Sequence, residues 1–196
     1  MKASQIIKNA IANVLSQAQP VDFNSRSAYL ANLTFLYHTM RASENLLRVA
    51  IANTEPGKLH DYFVEHLEEE TGHAEWLASD LQTAGIEVAS TPVPRYAVEM
   101  VGTQYYLIQH VGSAALLGYM VLMECFPISL AGVEALEAAH GKDLMRTIRY
   151  HAEHDIDHGA DLLDMIDSLT EQQQVLALES GMQAASYFTC ALASFK

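Results

Sequence analysis

Apolar residues recur at intervals of three and four along almost the whole chain, and five prolines, at positions 20, 56, 92, 94 and 127, fall where that rhythm is interrupted. The pattern predicts helices over residues 3–17, 25–53, 58–84, 94–110, 113–126, 128–140, 142–168 and 171–194. Thr170 followed by Gln173 predicts a capping box opening the last of them. No run alternates apolar and polar residues for long enough to form a strand, and no fixed-period repeat appears. The expectation is a single all-α domain over residues 1–196.

Within this pattern several polar residues occupy rows that are otherwise apolar, because positions three and four apart stack on one helix face. On the second segment the row is Leu33, Tyr37, Met40, Glu44, Leu47 and Ile51. On the third it is Phe63, His66, Glu70, His73 and Leu77. Glu124 stands in LLGYMVLMECF as the sole Asp, Glu, Lys or Arg between Glu99 and Glu134. A buried carboxylate needs a proton, a cationic partner or a metal. The stretch HAEHDIDHGADLLDMID gives a fourth row, Leu144, Ile148, His151, Asp155, His158 and Leu162, and leaves His154, Glu153, Asp157 and Asp161 on the outer or flanking face.

Four helices therefore carry acidic or imidazole groups on apolar faces, in the order Glu44, Glu70-x-x-His73, Glu124 and Asp155-x-x-His158. Four-helix carboxylate proteins hold two iron or manganese ions in this way, with one Glu from each of two helices and a carboxylate-x-x-His from each of two others. His151 adds a third nitrogen donor, making seven candidate ligands: Glu44, Glu70, His73, Glu124, His151, Asp155 and His158. Carboxylates with a minority of imidazoles suit iron or manganese better than zinc.

Each piece also has a plainer reading. A Glu-x-x-His pair arises by accident of composition, the EEE at 68–70 suits a solvated face, and Glu44 has Arg41 and Arg48 near it in sequence. His66 reads as a hydrogen-bonded core histidine. Glu124 resists such a reading, since no Lys lies between 58 and 142 and the one Arg there is Arg95. Tyr37, Trp76, Tyr119 and Tyr150 sit within a turn of proposed ligands, where packing, cavity lining or electron transfer are all open to them.

Charge narrows the classes of partner. With 11 Lys plus Arg against 24 Asp plus Glu, the formal charge of −13 disfavours nucleic acid and anionic membranes. The longest apolar stretch, AALLGYMVLM, is about half of the ~20 residues that a membrane span requires. The N-terminal segment reads as an amphipathic helix of the mature protein, with Ile6, Ile7, Ile11, Val14 and Leu15 at helical spacing. Cys125 and Cys190, with no CxxC pair, suit a reducing cytoplasm.

HLEEETGHAEWLASDL (66–81) and YHAEHDIDHGADLLDMID (150–167), with Glu124 between them, resemble the heme-oxygenase-like diiron oxidases. These are also described as iron-containing redox enzymes, of the thiaminase II and pyrroloquinoline-quinone-synthase C structural superfamily. The resemblance spans about residues 28–168, and its most specific element is His-x-x-x-Asp-x-x-His, matched by His151, Asp155 and His158. It implies a heme-oxygenase-like bundle of seven or eight helices, usually a homodimer, binding two irons and no heme. It further implies that dioxygen is used, with an external electron donor, to oxidise amino-acid-like or fatty-acid-like substrates by N-oxygenation, desaturation, decarboxylation or carbon–carbon cleavage. By position the seven residues above would be the ligands, with Glu69 or His66 as substitutes for Glu70. His38, six residues before Glu44, invites comparison with a heme ligand, but heme leaves the acidic rows unexplained. A metal-free thiaminase II or quinone-synthase-like protein and a ferroxidase are the alternatives from other classes.

Overall fold

The computed structural model describes residues 1–195, with the side chains of Asp155, Ile156 and Asp157 outside the description. The described chain folds into nine α-helices: α1 (Ala3–Leu15), α2 (Arg26–Ala52), α3 (Lys58–Glu70), α4 (His73–Thr83), α5 (Arg95–His110), α6 (Ala115–Glu124), α7 (Leu130–His140), α8 (Arg146–Asp167) and α9 (Glu171–Ser194). Two short 3₁₀ turns, Val88–Ser90 and Lys142–Leu144, precede α5 and α8. No helix among the described residues is long and apolar enough to cross a membrane. The predicted capping box is present, with Thr170 and Gln173 each bonding the other's backbone amide.

The expected continuous helix over 58–84 is instead two helices. Thr71 is extended, at φ −64° and ψ 121°, and Gly72 takes a left-handed φ of +94°. Glycine enters that region without the steric penalty of a Cβ, and the Thr71 hydroxyl closes α3 by donating to the Leu67 carbonyl at 2.7 Å.

α6 is apolar on all sides and packs against α9, α8, α5 and α1. α9 lies along it, with α1 and α5 against α9, while α8 touches α6, α1, α4 and α7. α2 carries α3, α4 and α5 along its length. The α6–α9 approach is closest at Gly118, where an added Cβ would collide with the Ala177 carbonyl. Backbone cannot rotate aside as a side chain can, so Gly118→Ala should destabilise the fold by about 1–3 kcal/mol. A urea melt measures this directly.

Helix starts are tied to other helices. The amide and hydroxyl of Ser4, in the first turn of α1, donate to the two carboxylate oxygens of Asp167 in α8 at 3.0 and 2.9 Å, and Lys2 Nζ lies 3.1 Å from the same group. Burial opposes ionisation of Asp167, but the bonds from Ser4 and Lys2 outweigh it and hold the carboxyl below its ordinary value of 3.8. A depressed carboxyl stabilises the fold above its unfolded pKa and loses that contribution as pH falls through the folded one. Wild type should therefore exceed Asp167→Asn in stability at pH 6, by roughly 1 kcal/mol as for other helix caps. The difference should shrink progressively below pH 3.8, as read by denaturant titration.

The core divides into two apolar clusters. One is built on α6 and α9 and includes Leu116, Leu117, Ala184 and Ile11. The other lies between α2, α4 and the start of α8 and includes Tyr29, Leu33, Leu77 and Met145. Leu36 packs against both.

Candidate metal centre

The Thr71–Gly72 break shapes the first part of the site. Glu70 ends α3 and His73 begins α4, so the pair faces across a kink and not along one helix. Glu70 Oε1 and His73 Nδ1 are 3.4 Å apart, with side-chain exposures of 13% and 3%. Glu44 of α2 reaches the break itself: its Oε1 accepts from the Gly72 amide at 3.2 Å and its Oε2 lies 3.5 Å from Arg48. The His73 ring also meets His151 of α8 at 5.0 Å between centroids, and Trp76 at 4.5 Å. Burial would raise Glu70, but the His73 ring beside it and the positive charge of His66 keep its carboxyl below the usual range.

A second group adjoins the first. Glu124, the last residue of α6, places Oε1 3.0 Å from His66 Nε2, and the two side chains are 10% and 5% exposed. On its other side His66 Nδ1 is 3.4 Å from Glu69 Oε2. His158 Nε2 stands 4.0 Å from that same Glu69 oxygen, and the Tyr62 ring covers His66 at 5.8 Å. Burial acts to lower the His66 pKa, but the field of Glu124 and its hydrogen bond prevail, with Glu70 and Glu69 adding to them. The imidazole is pushed up to about 9. In this arrangement a proton on His66 balances the buried carboxylates.

Of the predicted ligands, then, Glu44, Glu70, His73 and His151 gather around the helix break, and Glu124 and His158 lie with His66 and Glu69. Asp155 lies outside the described residues. Among the described residues no group of three or more His, Cys, Asp or Glu stands in metal-holding geometry. Glu124 lies against His66, which the resemblance offered only as a substitute ligand; its place in the Phe63–Glu70 row was the available signal. Glu153, His154 and Asp161 are exposed as expected. His38 pairs with Thr91 at 3.3 Å.

Both groups open onto a cavity of about 450 Å³, walled by His66, Glu70, Glu124 and His151 among mostly apolar side chains. Tyr119, buried in its wall, has its phenol pushed up by that burial. Trp76, at 44% exposure, packs from the surface against His73, with tilted rings, and edge-on against Tyr150. Cys125 is buried and Cys190 exposed, with no disulfide.

The donor chemistry fits a hard or borderline divalent ion. Oxygen and imidazole donors from α3, α6 and α8 line the cavity, and no Lys or Arg stands among its described lining residues. They include carboxylate–imidazole pairs at 3.0–3.4 Å, and such oxygen and nitrogen donors suit iron or manganese.

Residues 30–187 match the family of iron-containing redox enzymes. A comparison with curated proteins gives no match. Among solved structures, the chain is similar to a domain of unknown function with a heme oxygenase-like fold from Shewanella denitrificans. The TM-score is 0.74 at 17% identity, over 98% of this chain and 86% of that one. It is also similar to a TenA homologue from Pseudomonas syringae pv. tomato (TM-score 0.73, 12% identity, 98% and 94% coverage). A TenA homologue from Pyrococcus furiosus gives a TM-score of 0.73 at 11% identity, with 97% and 98% coverage. The nine helices thus form a heme oxygenase-like bundle, and the chain belongs to the iron-containing redox enzyme family.

Proposed function

We propose that this chain is a non-heme diiron oxidase that uses dioxygen to oxidise a small organic substrate. Glu44, Glu70, His73, Glu124, His151, Asp155 and His158 would hold the two ions, with manganese as the alternative metal and His66 beside Glu124 as a further donor. The observation that carries this reading is the meeting of two buried carboxylate–imidazole pairs, Glu70–His73 and His66–Glu124, at the wall of one apolar cavity. Membership of an iron-containing family supports it.

When bound, the two irons supply electrons and open coordination positions for reducing dioxygen. The chain's own residues do the rest. Glu124 stands at the end of a closely packed helix, with its carboxylate oriented by His66 at 3.0 Å. Glu44 is oriented by the Gly72 amide, which ties its position to the break that separates Glu70 from His73. The apolar wall formed by Met40, Leu116, Met120 and Ile148 excludes water from the reacting end of the substrate.

A second reading, a metal-free protein of the TenA kind, draws support from two of the solved structures. Oxygen uptake separates the two. Protein loaded anaerobically with Fe(II) and then exposed to air should consume dioxygen, and His151→Ala should suppress that uptake. Failure of the wild type to take up either iron or oxygen, with His151→Ala folded and fully active toward its substrate, would establish the metal-free reading. Iron oxidation that continues catalytically without any organic substrate would instead mark a ferroxidase.

A further inference from the structure

Trp76 is the only tryptophan of the chain, and it joins the protein surface to the buried candidate centre. It lies three residues after His73 in α4, and its indole is 44% exposed whereas His73 is 3% exposed. The two rings are 4.5 Å apart between centroids. Tyr150 of α8, half-buried, stands 5.1 Å from Trp76, 5.4 Å from His73 and 5.9 Å from His151. These are the spacings of aromatic rings in contact. An unbroken set of rings thus leads from solvent to two of the predicted ligands, on α4 and α8.

The outer end of this set is shaped. Trp76 and Tyr150 both line a surface recess of about 330 Å³, together with Glu75, Ser79 and Arg146. Arg146 is tied to Asp80 at 2.7 Å and to Ser79 at 3.2 Å, so the aromatic faces are left to whatever enters. Shielding His73 from water does not by itself call for tryptophan, because an aliphatic side chain would serve. What indole and phenol add is that, of the aromatic side chains, they give up one electron most readily. An oxidised phenol must also shed its proton, which burial opposes at Tyr62, over His66, and at Tyr119. An oxidised indole can keep its N–H, and Tyr150 borders the recess, where water can take the proton.

We propose that Trp76, with Tyr150, is the one-electron relay through which an outer-sphere reductant seated in the recess reduces the buried centre. The inference rests on the proposed oxidase, since the centre is the inner end of the relay. In each passage the indole gives one electron to a ferric ion and becomes a radical cation, and the reductant then returns one electron to it. No bond forms or breaks. The indole ends unchanged, the reductant is oxidised by one electron, and one ferric ion has become ferrous; two passages serve both ions.

The test uses the full chain in two states. In metal-free protein, azide radicals from a radiolysis pulse oxidise the single indole. The indolyl signal should give way to a phenoxyl signal at a rate independent of protein concentration, and Tyr150→Phe should slow this at least about tenfold. In iron-loaded, air-oxidised protein, reduction by reduced methyl viologen is followed by stopped-flow absorbance. Trp76→Phe, which keeps a ring but is far harder to oxidise, should slow that reduction at least about tenfold with iron content unchanged, and Trp76→Tyr should recover part of the rate. Ferrous wild type freeze-quenched after dioxygen, without reductant, should show a radical whose hyperfine pattern changes when the tryptophan ring is deuterated. If Trp76→Phe does not fold, this isotope effect decides in its place. With iron bound, a reduction rate unchanged in Trp76→Phe or a radical insensitive to deuteration would overturn the relay and leave the oxidase standing. An indolyl radical that never reaches Tyr150 would overturn it whatever the metal content. Wild type that binds no iron yet passes its indolyl radical to Tyr150 would sink the oxidase and leave the ring-to-ring step intact.

Discussion

Glu124→Ala is expected to lower bound iron from about two ions per chain to one or fewer and to reduce dioxygen-dependent turnover by at least about 100-fold. Glu124 is the last residue of a helix packed on every side, 3.0 Å from His66, in a wall whose described residues include no Lys or Arg to take its place. Removing it takes away a donor and leaves the buried His66 without the carboxylate that favours its proton. Stability and metal binding should separate in the double variant His66→Leu/Glu124→Leu. Replacing a buried ion pair with apolar residues of similar size is often neutral or stabilising, so this variant should melt no lower than the parent while failing to retain iron. Elemental analysis alongside thermal unfolding measures both. Should the double variant bind two irons, Glu124 is no ligand.

The second large effect is expected away from the centre, at Asp80. This residue is fully buried in α4 and spends its whole carboxylate on the start of α8. One oxygen accepts from Arg146 Nε at 2.8 Å, and the other accepts from the Thr147 amide at 2.8 Å and hydroxyl at 2.7 Å. It thus serves as the N-terminal cap of α8 from a different helix, satisfying an amide that has no partner within α8. α8 carries His151 and His158, and α4 carries His73, so the same bonds fix the helix-to-helix geometry of the candidate ligands. Asp80→Ala leaves a buried amide, hydroxyl and part of a guanidinium without acceptor. A loss of about 3–5 kcal/mol is expected, as for breaking a buried pair, measured as the shift in a urea unfolding curve. Asp80→Asn, which keeps one acceptor, should lose less. If both variants cost under about 1 kcal/mol, the cap contributes little.

Much of this arrangement is visible in the residue pattern, for a physical reason. A helix face that must be buried tolerates few charges, so Glu124 in LLGYMVLMECF and His73 beside Leu77 stand out as anomalies requiring partners. The two-residue interruption at Thr71–Gly72 does not stand out, because one glycine within a helical pattern is tolerated at about 1 kcal/mol. Only the tertiary position of Glu44, accepting from the Gly72 amide, shows what the break is used for. Likewise the His66–Glu124 contact joins α3 to α6 across nearly sixty residues, and no local spacing encodes it. The division of the core into two clusters depends on tertiary packing, with α8 touching both α6 and α4. Apolar periodicity marks a face as buried but does not say against what.

The central proposal is that iron binds at the cavity wall that carries the Glu70–His73 and His66–Glu124 pairs. Diffraction from crystals grown anaerobically with Fe(II), recorded on both sides of the iron absorption edge, tests it most directly. The expected result is two anomalous peaks per chain, one against Glu70 and His73 and one against Glu124 and His66, matched by about two irons per chain in elemental analysis. A map without peaks there, from protein whose His66–Glu124 and Glu70–His73 contacts are intact, would contradict it.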